Sequence, residues 1–126
     1  MKVGFLLIGR LKSKRLPKKL LIEIQGKPII SHLIDRLKLA KKIDEIIICT
    51  STNNQDKPLV KVAKDNEVSC FCGDPNDVLI RMYDAAKAYK LDYILTITAD
   101  CPFVDPFYAD SIVKLFQKND ADLIRQ

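Results

Sequence analysis

The chain has 126 residues, of which 48% are hydrophobic and 29% are charged, so its size and composition fit a single globular domain with one core. The net charge of +5 is concentrated, because residues 10–19 contribute +6 and the other 116 residues sum to −1. Proteins that bind long nucleic acids spread basic side chains along a whole face, so this distribution argues against that class and favours a compact polyanion such as a nucleoside triphosphate.

The first predicted element is a strand at residues 3–8, a continuous apolar run typical of a strand that is covered on both faces. The run is too short for a secretory signal or a membrane span. Residues 10–19, which we call the basic loop, follow it with six positive charges, no negative charge and no glycine. The loop is therefore neither a Walker loop nor a dinucleotide fingerprint, and its side chains would have to hold phosphates. A solvated basic loop without a ligand is the alternative that this pattern leaves open.

Helical and strand-like patterns alternate in the middle of the chain. Pro28 opens a predicted helix that Lys41 and Lys42 close, with an apolar stripe at Ile30, Leu33, Ile34 and Leu37. The segment EIIICTS, residues 45–51, is a predicted strand of buried character. A short amphipathic helix at residues 58–66 and a strand at residues 68–73, VSCFCG, come next.

The last third of the chain continues the alternation. Asp74 is predicted to cap a third helix with Pro75 in its first position, and its inner side carries Val78, Met82, Ala86 and Tyr89. The fourth strand is DYILTITAD, residues 92–100. Asp105 and Pro106 begin a fourth helix in the same way, with Ala109, Ile112, Val113 and Phe116 on its apolar side, and residues 121–126 have the pattern of a short fifth strand.

The strict alternation of strands and helices predicts an α/β fold, with a mostly parallel twisted sheet and helices on both faces. Such sheets bind ligands beyond the carboxyl ends of the strands, near the switch point in strand order. The basic loop follows the first strand and Asp100 follows the fourth, so we expect both to face one crevice. A carboxylate opposite a phosphate loop can hold Mg²⁺. The alternative for Asp100 is an aspartate that orders the turn before Pro102.

The four cysteines are predicted to be small core residues of a protein in the reducing cytoplasm. They form no CxxC pair, and no histidine lies at a ligand spacing from them, so the sequence predicts no zinc site. The residues concerned are Cys49, Cys70, Cys72 and Cys101.

The stretch GRLKSKRLPKKLL…GKPII, residues 9–21 and 26–30, resembles the signature of the cytidylyltransferases that make CMP-activated sugars. It is most similar to the spore-coat polysaccharide (SpsF-like) branch and to CMP-3-deoxy-manno-octulosonate synthetases. RLKLAKKIDEIIICTS, GDPNDVLIRMYDAAK and ITADCPFVDP fit the same pattern in order. The resemblance covers residues 1–126 as a single nucleotide-binding domain, and it implies the Rossmann-like nucleotide-diphospho-sugar transferase fold.

The resemblance also implies a reaction: a sugar or sugar-acid hydroxyl attacks the α-phosphorus of CTP and pyrophosphate leaves, in the biosynthesis of cell-surface polysaccharide. It implies that Arg10, Arg15 and Lys19 act in catalysis and that Asp100 binds Mg²⁺. The nucleotide-binding positions that it implies are Gly9, Arg10, Ser13, Arg15, Lys19, Thr50, Ser51 and Arg81. The expected partners are CTP and the acceptor, with no nucleic acid and no membrane.

Two departures from the family pattern affect these expectations. Lys12 and Lys18 stand where many members carry glycine, which would stiffen the loop or crowd the approach of backbone to phosphate. Members of the family continue into a second half that supplies the sugar pocket, a dimer contact and a further Mg²⁺-binding carboxylate. We therefore expect the nucleotide-binding half of such an enzyme, with an inactive nucleotide-binding module as the alternative. An exposed sheet edge would favour self-association, for which a homodimer is the simplest form.

Overall fold

A computed structural model describes residues 2–11, 19–98 and 106–119. Its strands are β1 Val3–Ile8, β2 Glu23–Ile24, β3 Lys27–Pro28, β4 Glu45–Ser51, β5 Ser69–Gly73 and β6 Tyr93–Thr98. Its α-helices are α1 Ile29–Leu37, α2 Lys57–Asp65, α3 Val78–Ala88 and α4 Pro106–Asn119, and one-turn 3₁₀ helices cover Lys19–Leu21 and Asn54–Asp56. The predicted fifth strand at residues 121–126 lies outside the described residues.

The four longer strands form one parallel sheet in the order β5–β4–β1–β6. The chain moves outward from β1 to β4 and β5 and then returns to the other side of β1 as β6. The strand order therefore reverses at β1, which is the switch point where sheets of this kind bind ligands. This confirms the predicted α/β fold with a parallel sheet.

Both faces of the sheet are covered, as the apolar strands predicted. Helices α1, α2 and α4 pack on one face, where the buried strand residues are Phe5, Leu7 and Ile48. Helix α3 packs on the other face through Ala85, against Leu6, Ile47 and Cys49. The apolar stripe predicted for the first helix is fully buried in the first of these two layers.

Helix α1 ends at Leu37, earlier than the predicted closure at Lys41 and Lys42. The backbone tightens after Leu37, because the amide of Ala40 donates to the Leu37 carbonyl oxygen at 3.0 Å. The amides of Lys41 and Lys42 then donate to the two carboxylate oxygens of Asp110 on α4, at 2.9 and 2.8 Å. A tertiary contact uses the amides that a longer helix would have needed.

Helix α3 begins at Val78, so the prediction that Asp74 caps it and Pro75 opens it is wrong. Asp74 instead accepts the amides of Asn76 and Asp77 at 2.8 Å, which makes a separate turn. Asp77 is the actual cap, and its carboxylate accepts the amide of Ile80 at 3.1 Å.

The buried face of α3 is also rotated from the predicted one. Its fully buried residues are Arg81 and Ala85, and Met82 and Tyr89 are partly buried beside them. Val78, which was predicted to face inward, is 43% exposed, because it sits at the very first turn of the shortened helix. Helix α4 follows its prediction more closely, with Ala109 and Val113 buried.

A two-stranded hairpin, β2–β3, has no counterpart in the predicted elements. Its turn consists of Gln25 and Gly26, with φ of 55° and 85°, which is the left-handed region that a two-residue hairpin turn of this type requires. The Gln-Gly pair was a signal for this turn, but strands of two residues carry no readable periodicity. In the part of the chain that the structure describes, no helix combines the length and the apolar character that a bilayer span needs.

Candidate functional site

The basic loop and the segment that contains Asp100 start from the carboxyl ends of two neighbouring strands. Ile8, the last residue of β1, is the register partner of Thr98, the last residue of β6. The Gly9 amide continues the ladder on the other side and donates to the Cys49 carbonyl oxygen at 3.2 Å. The basic loop and the segment that contains Asp100 therefore leave adjacent strands at one edge of the sheet. Ser13, Arg15 and Asp100 themselves lie outside the described residues, as does the side chain of Lys19.

Arg10 is held at this edge by two contacts from distant parts of the chain. Its Nε donates to Oδ2 of Asp56 at 2.8 Å, and its Nη1 donates to the Pro75 carbonyl oxygen at 2.7 Å. The third nitrogen, Nη2, is buried and has no hydrogen-bond partner among the described residues. The guanidinium group is therefore fixed in orientation, and one of its three nitrogens, Nη2, has no partner among the described residues.

Asp56, which sequence reasoning did not single out, is the centre of this arrangement. Its side chain is fully buried. Besides Arg10, it accepts the Leu11 amide on Oδ1 at 2.6 Å and the Ser51 hydroxyl on Oδ2. Burial alone would raise the pKa of Asp56, but the hydrogen bonds from Ser51, Arg10 and Leu11 outweigh it and hold the pKa below its ordinary value. The carboxylate is therefore charged at neutral pH and cancels the charge of Arg10.

Asp56 gave a misleading signal in the sequence. It directly precedes α2, where an aspartate is expected to cap the helix, yet its side chain makes no capping hydrogen bond. Its partner Arg10 is 46 residues away. No local pattern connects two such positions, so only the fold reveals the pair.

Ser51 and Thr50, at the end of β4, differ in their roles. Ser51 belongs to the Asp56 arrangement, since its hydroxyl donates to Asp56 and accepts the Asn53 amide at 3.1 Å. Thr50 is fully buried, and its Oγ1 has no hydrogen-bond partner among the described side chains and backbone. Strand alternation places Thr50 on the same face of the sheet as Ile48, under α1 and α2.

Arg81 is 2% exposed and lies on α3, which covers the opposite face from Thr50. The structure therefore does not bring these two predicted nucleotide-binding residues side by side. The Nη1 of Arg81 donates to the Asp74 carbonyl oxygen at 3.3 Å, and its Nε is buried without a described partner. Arg10 and Arg81 thus donate hydrogen bonds to two consecutive carbonyl groups, those of Pro75 and Asp74. Both arginines therefore stabilise the turn before α3.

Gly73, at the end of β5, explains how Arg81 can lie so close to the sheet. A Cβ atom at this position would lie 3.0 Å from Cγ of Arg81 and 2.7 Å from Cε2 of Phe71. Only a residue without a side chain leaves room for both neighbours. In the turn that follows, the backbone amides of Asp77 and Asn76 donate hydrogen bonds to the Asp74 carboxylate. These bonds stabilise its charged form and lower the pKa of Asp74.

The described carboxylates Asp56 and Asp74 at this edge accept hydrogen bonds from protein groups. The carboxylate of Asp56 is committed to three donors, and Asp74 accepts two amides. Within residues 2–11, 19–98 and 106–119, no three histidine, cysteine, aspartate or glutamate side chains come together to hold a metal ion. Asp100, the predicted Mg²⁺ ligand, is not among those residues.

The described cysteines are free thiols. Cys49 is fully buried, and burial raises its pKa to about 11. Cys70 is partly buried, and burial together with the neighbouring Cys72 raises its pKa to about 12. Cys72 is exposed, so its predicted core position is wrong, because it lies at the end of the edge strand β5.

Comparison with known proteins gives a consistent result. A family model described as cytidylyltransferase matches residues 5–125. An uncharacterised protein of Methanocaldococcus jannaschii is 36% identical over 124 residues, 98% of this chain and 51% of that protein. The 8-amino-3,8-dideoxy-manno-octulosonate cytidylyltransferase of Shewanella frigidimarina is 32% identical over 125 residues, 94% of this chain and 49% of that enzyme.

Among solved structures, that of a cytidylyltransferase from Leptospira borgpetersenii serovar Hardjo-bovis superposes with a TM-score of 0.90 at 38% identity. The superposition covers 96% of this chain and 51% of the other chain. The chain thus spans about half the length of the relatives that it matches.

Proposed function

The chain belongs to the cytidylyltransferase family, and we propose that it binds the nucleotide in an enzyme that transfers CMP from CTP to a sugar or sugar-acid hydroxyl. The acceptor oxygen forms a new bond to the α-phosphorus, the bond from that phosphorus to the bridging oxygen breaks, and pyrophosphate leaves with the electron pair. The hydroxyl proton is released. We further propose a role in cell-surface polysaccharide synthesis and a place near the spore-coat (SpsF-like) branch.

The observation that carries this proposal is the register pair Ile8 and Thr98 at the switch point of the sheet. It supports a shared crevice for the basic loop and for the segment that holds Asp100, because both begin at the same edge. The loop has six cationic side chains, and Asp56 cancels the charge of Arg10. The remaining five cations lie within one short segment, which favours a compact polyanion such as a triphosphate over a long polymer.

In this proposal Arg15 and Lys19 neutralise the triphosphate, and Arg10 contributes through its one unpartnered nitrogen, Nη2. Gly9 and Ser13 border the phosphates, and the end of β4, with Thr50 and Ser51, lies toward the nucleoside. Arg81 on α3 is buried and acts on this site only through the turn before α3, whose Asp74 carbonyl oxygen it binds. Asp100 is the proposed ligand of Mg²⁺, which as a hard cation would supply further neutralisation of phosphate charge.

The first experiment is calorimetric titration of CTP, UTP, ATP and GTP into the 126-residue chain, with and without Mg²⁺. We expect CTP to bind most tightly and only with the metal. Arg15→Ala should weaken CTP binding by about tenfold or more, since it removes a charged hydrogen-bond donor. Lys61→Ala, at an exposed lysine in the middle of α2, is the charge-matched control and should bind as the unaltered chain does.

Equal and metal-independent binding of all four nucleotides would contradict the proposed CTP specificity. A pyrophosphate-release assay across candidate sugar acids then separates transfer from binding alone. Tight binding to RNA or DNA at physiological salt, with a steep salt dependence, would instead support a nucleic-acid-binding protein.

A further inference from the structure

Arg10, at the start of the basic loop, is held by hydrogen bonds to two distant parts of the chain. Its Nε and Nη1 are both occupied, by Asp56 and by the Pro75 carbonyl oxygen, at 2.8 and 2.7 Å. Its Nη2 is buried and has no partner among the described residues. A buried donor without a partner costs free energy, about 1–3 kcal/mol or more for a charged group. An acceptor from outside the described residues would remove this cost, and the Arg10 side chain, which is 17% exposed, is open to solvent on one side.

Asp56 is what imposes this geometry. It is fully buried, and it binds the first two residues of the basic loop at once, Arg10 through the side chain and Leu11 through the amide at 2.6 Å. The hydroxyl of Ser51, the last residue of β4, donates a hydrogen bond to the same carboxylate. Two of its three donors are the first residues of the basic loop and the third is on β4, so the carboxylate ties the start of the loop to the end of β4.

We propose that Asp56 is a positioning residue of the nucleotide site. It fixes the start of the basic loop and orients Nη2 of Arg10 toward an anionic phosphate oxygen. This inference rests on the proposed function. It assigns Asp56 no contact with the nucleotide, since its side chain has no exposed surface. Its effect is to hold the phosphate donors in place before the ligand arrives, which lowers the cost of ordering the loop on binding.

The test measures the binding of three probes to the full chain by calorimetry: CTP, inorganic tripolyphosphate and cytidine. Asp56→Asn keeps an acceptor oxygen for the Leu11 amide but turns an NH₂ group toward Arg10. We expect the affinity for CTP and for tripolyphosphate to fall about tenfold or more, and the affinity for cytidine to change by less than about threefold. A general loss of folding would lower all three affinities together.

Asp110→Asn is the matched control. Asp110 also accepts two backbone amides from a distant segment, those of Lys41 and Lys42. It does so at the amino ends of the strands, away from the basic loop. We expect the three affinities in this variant to stay within about twofold of the unaltered chain.

A second measurement needs no ligand. The Nε proton of Arg10 lies in a hydrogen bond to a carboxylate, so it should give a resolved, slowly exchanging NMR signal in the unaltered chain. We expect Asp56→Asn to remove that signal and Asp110→Asn to leave it. If Asp56→Asn does not fold, Asp56→Glu takes its place, because it keeps the charge and displaces Arg10 by one methylene group. The same selective loss of CTP and tripolyphosphate binding is expected.

Two results would overturn the proposal in distinguishable ways. A folded Asp56 variant that binds CTP and tripolyphosphate as the unaltered chain does would refute the positioning role and leave the proposed function standing. An unaltered chain that binds neither tripolyphosphate nor any nucleotide would refute the proposed function together with this inference.

Discussion

Replacing Gly73 with alanine tests whether the close approach of α3 to the sheet is as tight as the structure indicates. The added Cβ would lie 2.7 Å from Cε2 of Phe71 and 3.0 Å from Cγ of Arg81. Phe71 is partly exposed and can shift, but Arg81 is buried and its Nη1 donates to the Asp74 carbonyl oxygen. Because one neighbour can move and the other cannot, we expect an overpacking cost of about 1–3 kcal/mol in the free energy of unfolding.

Urea denaturation measures this cost, with an unchanged slope showing that only the native state is affected. Gly26→Ala is the informative control, since Gly26 has φ of 85° and no atom within 4 Å of the added Cβ. Its cost is conformational and should be about 1 kcal/mol. Combining Gly73→Ala with Phe71→Leu should recover part of the loss, because the leucine side chain removes the nearest atom. A Gly73→Ala variant as stable as the unaltered chain would show that α3 can move away from the sheet, and would refute the argument.

Three further predictions concern charge, packing and thiol reactivity. Folding lowers the pKa of Asp56, so its contribution to stability is present above the unfolded pKa, about 3.9, and is lost as the pH falls through the lower pKa of the folded chain. The difference in unfolding free energy between the unaltered chain and Asp56→Asn should therefore shrink from pH 7 to pH 3. A difference that stays constant over this range would contradict the prediction. Leu33→Ala, at a fully buried position in α1, should cost about 2–5 kcal/mol in urea denaturation, against about 0.5 kcal/mol or less for Leu39→Ala, which is 68% exposed. Iodoacetamide at pH 8 should alkylate Cys72 in the folded chain and Cys49 only after unfolding, because burial keeps the Cys49 thiol protonated. Peptide mass analysis that finds both cysteines modified at equal rates in the folded chain would refute this prediction.

The sheet could be predicted because a strand that is buried on both faces has a continuous run of apolar residues in the sequence. A strand covered by helices on both sides must be apolar throughout, so residues 3–8 and 45–51 stood out, and both strands have the predicted bounds. The alternation of such runs with helical stripes then fixed the parallel arrangement. The start of α3 was harder, because GDPNDV contains two aspartates that can both accept backbone amides. Each does so, and local sequence does not say which of the two turns becomes the helix.

The candidate site was predictable in its location and not in its internal contacts. The basic loop and the switch-point rule indicated the carboxyl edge of the sheet. The ion pair between Arg10 and Asp56 joins positions with no sequence relation, and the buried state of Arg81 depends on a glycine eight residues earlier. Such contacts are products of the tertiary fold, since a lone charged residue in a sequence is normally expected on the surface.

The two bonds of Arg10 span 46 and 65 residues, so the segments after β1, β4 and β5 must all be in place before the guanidinium group is held. No fragment that lacks one of these segments can assemble the same geometry. A molecule that engages Nη2 of Arg10 would therefore bind the native state alone, and its binding energy would add to the stability of the whole sheet, by about 2.7 kcal/mol at one hundred times its dissociation constant. Thermal stabilisation of the entire domain, rather than local ordering of a loop, is the signature that such a ligand would leave.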